Sequence, residues 1–135
     1  MPALPRQLYG IVGQPVGHSL SPVLHNWGFS RYNLPGVYMA WEKGSLDLPG
    51  FINAVRSLPI SGVSVTIPNK EAVIPLVDRL TPTAQAVGAV NTLYWEGDAL
   101  IGGNTDMDGF LFPLEGKAPP AALVLGAGGA SRAVL

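Results

Sequence analysis

The chain of 135 residues contains no cysteine and only two histidines. The absence of cysteine excludes a disulfide framework and thiolate metal sites, and two histidines are too few for a persuasive metal cluster. We therefore predict no metal site.

Charged residues and long apolar runs are also scarce. Only 13% of the residues are charged and the net charge is −1, so there is no broad basic field for nucleic acid or an anionic membrane. No run approaches the roughly 18 apolar residues of a spanning helix, and residues 1–7 have no apolar core of signal-peptide length. We expect a cytoplasmic protein that binds a small molecule, with no nucleic-acid and no membrane partner.

Segments of strand and helix character alternate along the first half of the chain. Hydrophobic residues make up 47% of the sequence, enough for one globular domain with a real core. Strands are predicted at 8–13, 36–41 and 62–67, and helices at 22–32 and 48–58. This β-α-β-α-β series predicts an α/β fold with a mainly parallel sheet and helices on both faces.

Two helix predictions, one of them at 22–32, depend on apolar faces. Val23, Leu24 and Trp27 share one face of the helix at 22–32, and we expect that face to pack on the sheet. Residues 70–80 carry another broad apolar face and predict a helix, in which Pro75 is tolerable only in the first turn or at a kink.

A hairpin is predicted farther along the chain. The segments 89–95 and 99–103 flank Glu96-Gly-Asp98, which is a turn signal. The hairpin adds an antiparallel strand to the sheet. Pairing across the turn sets Asn91 opposite residue 103 or 104, with Asp106 close by.

Lys70 comes two residues after Pro68, the proline that ends the predicted strand at 62–67. Because Pro68 has no N–H for the ladder, Lys70 lies just past a strand end, where open α/β sheets bind ligands. The alternative is a solvated lysine that opens the next helix.

If the strands are adjacent, Lys70, Asn91 and Asp106 form one cluster. A lysine close to an aspartate can shuttle a proton to and from an alcohol, and an asparagine can orient a hydroxyl; the alternative is a structural salt bridge beside a hairpin asparagine.

Ser19 and Ser21 place two hydroxyls beside a predicted helix start, which Pro22 also favours. Unpaired N–H groups and the positive end of the helix dipole make such a place a site for a small anion such as a carboxylate. The alternative is that Ser21 only caps the helix.

The composition changes after residues 117–120, which we interpret as a linker. Residues 121–125 are fully apolar and predict a short strand, and a glycine turn that opens a helix follows. Its residues are Gly126, Ala127, Gly128, Gly129, Ala130 and Ser131. Gly126 permits the tight turn, Gly128 lets the backbone approach a pyrophosphate, and Ser131 occupies the third small position; the alternative is an ordinary glycine-rich turn.

We predict a division into residues 1–117, a substrate-binding catalytic domain, and residues 118–135, the beginning of a Rossmann domain. A Rossmann half needs a second strand and its ribose-reading residue, and neither is present. We therefore expect this second domain to be truncated.

Five separated motifs resemble those of the shikimate dehydrogenase family in order and spacing. They are Ser19-x-Ser21-Pro22, Val65-Thr-Ile-Pro-x-Lys70, Gly88-Ala-Val-Asn-Thr92, Asn104-Thr-Asp106 and Gly126-Ala-Gly-Gly-Ala-Ser-Arg-Ala133. The resemblance extends from about Tyr9 to the last residue. It implies reversible, NADPH-dependent reduction of 3-dehydroshikimate to shikimate in aromatic amino-acid biosynthesis.

The resemblance also implies roles for individual residues. Ser19 and Ser21 would donate to the substrate carboxylate. Thr66, Asn91 and Asp106 would hold the ring hydroxyls. Lys70 and Asp106 would be the catalytic pair, which protonates the oxygen as hydride arrives at its carbon.

The glycine turn would bind NADP, with Gly126, Gly128 and Gly129 facing the pyrophosphate and Ala127, Ala130 and Ser131 completing the site. One departure is Ser64, where the family usually has asparagine, and we expect water-mediated support of the neighbouring loop there.

Two other interpretations stay open. One is a quinate/shikimate dehydrogenase that uses NAD. The other is that the 135-residue polypeptide by itself is a non-catalytic module, which binds shikimate without converting it. A homodimer also stays open, since these residues do not determine the oligomeric state.

Overall fold

A six-stranded mixed sheet forms the centre of the structure, a computed structural model that describes residues 4–114, 116–117 and 120–134. The strands are β1 (Gln7–Gly13), β2 (Gly36–Glu42), β3 (Ile60–Val65), β4 (Arg79–Leu80), β5 (Thr92–Glu96) and β6 (Ala99–Gly103). Their order is β2-β1-β3-β5-β6-β4, and β5 is antiparallel to both of its neighbours while the other adjacent pairs are parallel. The predicted α/β fold with a mainly parallel sheet and one antiparallel hairpin strand is confirmed.

Helices cover both faces of the sheet, as predicted. They are α1 (Ser21–Arg31), α2 (Leu48–Ser57), α3 (Asn69–Ala72), α4 (Pro82–Val87), α5 (Asp106–Leu111) and α6 (Gly129–Arg132), with 3₁₀ turns at Ile74–Leu76 and Phe112–Leu114. Ile11 packs in the cluster that Phe29 of α1 joins, and Val12 packs in the cluster that contains α2. Successive strand residues point to opposite faces, so α1 and α2 lie on opposite sides of β1. In the described residues, no helix has the length and apolar character needed to cross a membrane.

The main core lies between α2 and the sheet. The apolar face predicted for α2 is buried through Leu48, Phe51, Ile52 and Val55. It packs with the alternate residues Val63 and Val65 of β3. On the same strand, Ser64 points to the other face, so β3 is buried on one side and polar on the other, as its sequence pattern indicates.

The apolar face predicted for α1 does not pack on the sheet, and this prediction was wrong. Val23, Leu24 and Trp27 are 69%, 65% and 62% exposed. Asn26 instead lies against β2, where its Nδ2 donates to the Tyr38 carbonyl and its Oδ1 accepts from the Tyr38 N–H, both at 2.8 Å. Because β2 is an edge strand, these backbone groups need a partner outside the sheet, and the amide supplies it.

No single helix spans residues 70–80, which corrects another prediction. The helix α3 ends at Ala72, the 3₁₀ turn follows, and β4 then pairs with β6. Pro75 lies in the 3₁₀ turn, where it cannot donate to a longer helix. Arg79 and Leu80 pair with Ile101 and Gly102 of β6. A helical pattern in the sequence does not reveal this pairing.

Residues 121–125 form no strand in the structure. Leu123 and Leu125 are 86% and 88% exposed, and none of the described strands pairs with them. A strand needs a neighbour for its backbone groups, and the described strands all lie in the one sheet. The predicted linker at 117–120 includes residues 118 and 119, which lie outside the described residues, as does residue 135. The division into residues 1–117 and 118–135 stays a prediction.

Candidate active site

Lys70 and Asp106 form a partly buried salt bridge. Lys70 Nζ lies 2.5 Å from Asp106 Oδ2, and the two side chains are 17% and 32% exposed. Lys70 lies in α3, which follows β3, and Asp106 begins α5, which follows β6. Since β3 and β6 run in the same direction, their carboxyl ends meet at one edge of the sheet. The fold thereby brings together two residues that are far apart in sequence.

Asn91 completes the cluster from the residue before β5. The hairpin has the predicted register, with Thr92 opposite Gly103 and a two-residue turn after Glu96. Asn91 Nδ2 donates to Asp106 Oδ1 and to Thr105 Oγ1, both at 2.8 Å. Its Oδ1 accepts from Thr92 Oγ1 at 2.8 Å and from Thr105 N at 3.1 Å. All the hydrogen-bonding positions of this amide are therefore used.

Asn104 organises the start of α5, and sequence reasoning missed this role. Thr105 is the N-cap residue, but its side chain makes no cap bond. Asn104 Oδ1 instead accepts from the N–H groups of Asp106 and Met107, at 2.9 and 3.3 Å. Its Nδ2 donates to the Ala89 carbonyl at 2.9 Å. Asparagine side chains commonly accept from backbone two residues on, and that was the signal available in the sequence.

Asn69 is a second buried asparagine that the sequence did not single out. Its side chain is fully buried, Nδ2 donates to the Lys43 carbonyl at 2.8 Å, and Oδ1 accepts from Ser45 Oγ at 3.3 Å. An asparagine after a proline carries no sequence pattern that marks it as buried. Its partners lie more than twenty residues away and are fixed only by the fold.

A cleft of about 440 Å³ lies between the residues after β3 and the glycine turn. It is lined by Thr66, Ile67, Pro68, Lys70, Glu71, Gly128, Gly129, Ala130 and Ser131. Thr66 and Lys70 therefore share this cleft with the predicted cofactor-binding residues. The cleft lining does not include Ser19 or Ser21.

The glycine turn approaches Lys70 closely. Gly126 has φ +126°, a conformation that side-chain-bearing residues rarely adopt, and exposed Ala127 follows it. A Cβ on Gly129 would lie 2.9 Å from Lys70 Cβ, whereas a Cβ on Gly128 would meet no atom within 4 Å. The Arg132 guanidinium pairs with Glu71 at 3.1 Å and ties α6 to α3. The turn thus presents backbone to the cleft beside the lysine.

Ser19 lies in the connection between β1 and α1, and Ser21 is the first residue of α1, at the same edge of the sheet. Gln14, which begins this connection, donates its N–H to the Ile67 carbonyl after β3 at 2.9 Å. Ser19 Oγ accepts from Ser21 N at 3.3 Å. The N-cap residue of α1 is Leu20, so Ser21 is not its N-cap.

Ser64, the departure from the family pattern, has a protein partner. Tyr38 Oη donates to Ser64 Oγ at 2.8 Å. Burial raises the pKa of Tyr38, and the hydrogen bond with Ser64 opposes that rise. This contact lies across β1, on the same sheet face as Thr66, and forms part of the wall of a second cavity of about 340 Å³.

Comparison with known proteins identifies the family. The model of the shikimate dehydrogenase substrate binding domain matches residues 11–93. The NADP(+) shikimate dehydrogenase of Oleidesulfovibrio alaskensis is 58% identical and covers 100% of this chain, and that of Maridesulfovibrio salexigens is 50% identical over 97% of it. In both cases the match covers 49% of the relative, so the chain spans about half the length of these curated relatives.

Solved structures agree with these matches. Shikimate 5-dehydrogenase of Thermus thermophilus, in complex with NADP(H) and shikimate, has a TM-score of 0.83 at 45% identity, covering 95% of this chain and 50% of that chain. The Listeria monocytogenes enzyme, in complex with shikimate and NAD, has a TM-score of 0.82 at 34% identity, covering 95% and 46%. The chain belongs to the family of shikimate dehydrogenase substrate-binding domains.

Proposed function

We propose that the chain is the substrate-binding and catalytic part of a shikimate dehydrogenase, which reduces 3-dehydroshikimate reversibly to shikimate in aromatic amino-acid biosynthesis. The observation that carries the proposal is the cluster in which Asp106 accepts from Lys70 on one oxygen and from Asn91 on the other. The names of the relatives and the ligands of the solved structures support this substrate and NADP as cofactor.

Lys70 and Asp106 form the proton-transfer pair in this proposal. A lysine ammonium carries only donors and an ionised aspartate only acceptors. Lys70 Nζ gives its proton to the carbonyl oxygen during reduction and takes the alcohol proton back during oxidation, while Asp106 Oδ2 aims the ammonium. Positioned proton transfer of this kind contributes about 10²- to 10⁴-fold to the rate.

Thr66, Asn91 and Asp106 hold the ring hydroxyls. The amide of Asn91 has no free hydrogen-bonding position, so it must exchange one contact when it binds a hydroxyl. The two bonds to Thr105 are exposed and are the easiest of the four to exchange, because water already competes for them. Asp106 is thus held in place while substrate binds.

Ser19 and Ser21 bind the substrate carboxylate. A serine hydroxyl has one proton and two acceptor positions. Since Ser19 Oγ already accepts from the Ser21 N–H, its proton is available for a carboxylate oxygen. Both serines are partly exposed, which allows a ligand to reach them.

The glycine turn fits a dinucleotide at the cleft. No atom lies within 4 Å of a Cβ on Gly128, so a phosphate has room beside its backbone, and the turn is made of small residues. Gly126, Ala127, Gly128, Gly129, Ala130 and Ser131 would hold NADP. When bound, the nicotinamide cofactor supplies the hydride.

The test is Lys70→Ala in the natural polypeptide that contains this sequence. We expect kcat to fall by about 10²- to 10⁴-fold with the circular dichroism spectrum unchanged. Lys117→Ala, in an exposed segment, is the matched control and should keep full turnover. Near-normal turnover of folded Lys70→Ala would refute the catalytic assignment.

The NAD found with the Listeria structure supports a second candidate, a quinate/shikimate dehydrogenase that uses NAD. The kcat/KM values for shikimate and quinate with each cofactor distinguish the two activities. Calorimetry with the 135-residue polypeptide tests whether this part binds shikimate without turnover. A homodimer and a cytoplasmic location stay predictions.

A further inference from the structure

Two asparagines supply the buried polar side chains in the described part of the chain, and each is close in sequence to one member of the salt bridge. Asn69 is 0% exposed and precedes Lys70; Asn104 is 5% exposed and lies two residues before Asp106. We propose that Asn69 and Asn104 are positioning residues that set the contact between Lys70 and Asp106. The proposal rests on the proposed function of that pair.

Asn69 fixes the backbone that carries Lys70. The helix α3 has only four residues and follows a proline, so its own hydrogen bonds constrain it weakly. Asn69 adds tertiary constraints, since its Nδ2 donates to the Lys43 carbonyl and its Oδ1 accepts from Ser45 Oγ. These bonds join the start of α3 to the loop after β2.

Asn104 fixes the backbone that carries Asp106. It caps two N–H groups at the start of α5 and donates to the Ala89 carbonyl. The next residue, Val90, donates its N–H to the Lys70 carbonyl at 2.8 Å. Asn91 then contacts Asp106 directly. Three consecutive residues before β5 therefore connect both halves of the pair, and Asn104 holds one end of that connection.

The consequence is a specific effect on turnover. Leucine branches at Cγ as asparagine does, but it is larger and has neither a donor nor an acceptor. Asn69→Leu therefore leaves the Lys43 carbonyl without its partner, and Asn104→Leu leaves the Ala89 carbonyl and the α5 N–H groups without theirs. The backbone must shift to satisfy these groups. A misplacement of about 1 Å at catalytic groups can cost about 100-fold in rate.

The experiment uses both leucine variants in the natural polypeptide that contains this sequence, alone and combined with Lys70→Ala. We expect kcat to fall by about 10- to 100-fold in each single variant, with KM within about threefold. In the Lys70→Ala background the same substitutions should change kcat by less than about twofold, because residues that act through one group are not additive. Crystal structures should show the Nζ–Oδ2 hydrogen bond broken.

Two controls separate positioning from general damage. Asn53→Leu makes the same chemical change at an exposed position of α2 and should leave kcat unchanged. Val55→Ala removes buried volume from α2 and should lower stability while the Lys70–Asp106 contact and kcat persist. If a leucine variant does not fold, Asn69→Ala and Asn104→Ala are measured in the same way, since they leave room for a water at the freed carbonyl.

Three results would overturn the proposal: an intact Nζ–Oδ2 hydrogen bond in the variants, kcat within twofold of the wild type, or an equal loss in the Lys70→Ala background. Full turnover in Lys70→Ala alone would instead overturn the proposed function. The crystallographic distance would still decide the positioning role in that case.

Discussion

Replacement of Asn91 by alanine tests how much the cluster depends on one amide. The variant loses four hydrogen bonds, of which the two to Thr105 are exposed and the two to Asp106 and Thr92 are partly buried. Water replaces the exposed pair at little cost. The bond to the Asp106 carboxylate is worth about 1.5 kcal/mol at its partial exposure, and the neutral bond to Thr92 about 1 kcal/mol. We therefore expect Asn91→Ala to lower the free energy of unfolding by about 2 to 3 kcal/mol.

Urea denaturation, followed by tryptophan fluorescence, measures this loss. With a slope of about 1.5 to 2 kcal/mol/M, the midpoint should fall by about 1 to 2 M. The control is Asn53→Ala on the exposed side of α2, which should not destabilise the chain because alanine is favoured inside helices. A midpoint for Asn91→Ala within about 0.3 M of the wild type would show that the amide does not fix the cluster, and would refute this reasoning.

Three other predictions concern separate parts of the chain. Ser19→Ala should weaken shikimate binding about tenfold by calorimetry with kcat less affected, since the contact exists in ground and transition states alike; equal binding of a carboxamide analogue would contradict a carboxylate clamp. The hydrogen bond from Arg56 holds the pKa of Asp78 below its usual range. The ionised Asp78 stabilises the fold at pH values above the usual aspartate pKa, and this stabilisation is lost as the pH falls through the lowered pKa. Asp78→Asn should therefore make the free energy of unfolding depend less on pH below about pH 4. The same pH dependence in variant and wild type would contradict this. A Cβ on Gly102 would lie 2.9 Å from two neighbouring side chains, so Gly102→Ala should cost about 1 to 3 kcal/mol in urea denaturation, whereas Gly50→Ala, with open space in α2, should gain about 0.5 to 1 kcal/mol; a shared sign would refute the packing argument.

Secondary structure was predicted correctly where the pattern of apolar residues within a segment determines it. The apolar face of α2 and the alternation in β3 both have a period that only one secondary structure satisfies. The turn after Glu96 fixed the hairpin register, and the register brought Asn91 to Asp106. Lys70, Asn91 and Asp106 could therefore be grouped before the structure was known.

Other features depended on partners that no local pattern reveals. Asn26 faces the sheet because β2 is an edge strand, and edge position is a property of the whole topology. Leu80 lies in a strand because β6 provides backbone hydrogen-bonding partners, although the residues around Leu80 have a helical pattern. Asn69 and Asn104 are buried by loops far away in sequence. In each case tertiary hydrogen bonding overrode local propensity.

The single antiparallel strand explains why the cluster can form at all. In a purely parallel sheet the residue before a strand lies at the opposite edge from the residues that follow its neighbours. Because β5 is antiparallel to β3 and β6, its first residues lie at the edge where those two strands end. Asn91, which precedes β5, therefore lies at the same edge as Lys70 and Asp106, which follow β3 and β6. Its amide donates to the Asp106 carboxylate, which also accepts from Lys70. The reversed strand places an amide beside the carboxylate of the salt bridge. A parallel strand in the same place would put the residue after its end at this position.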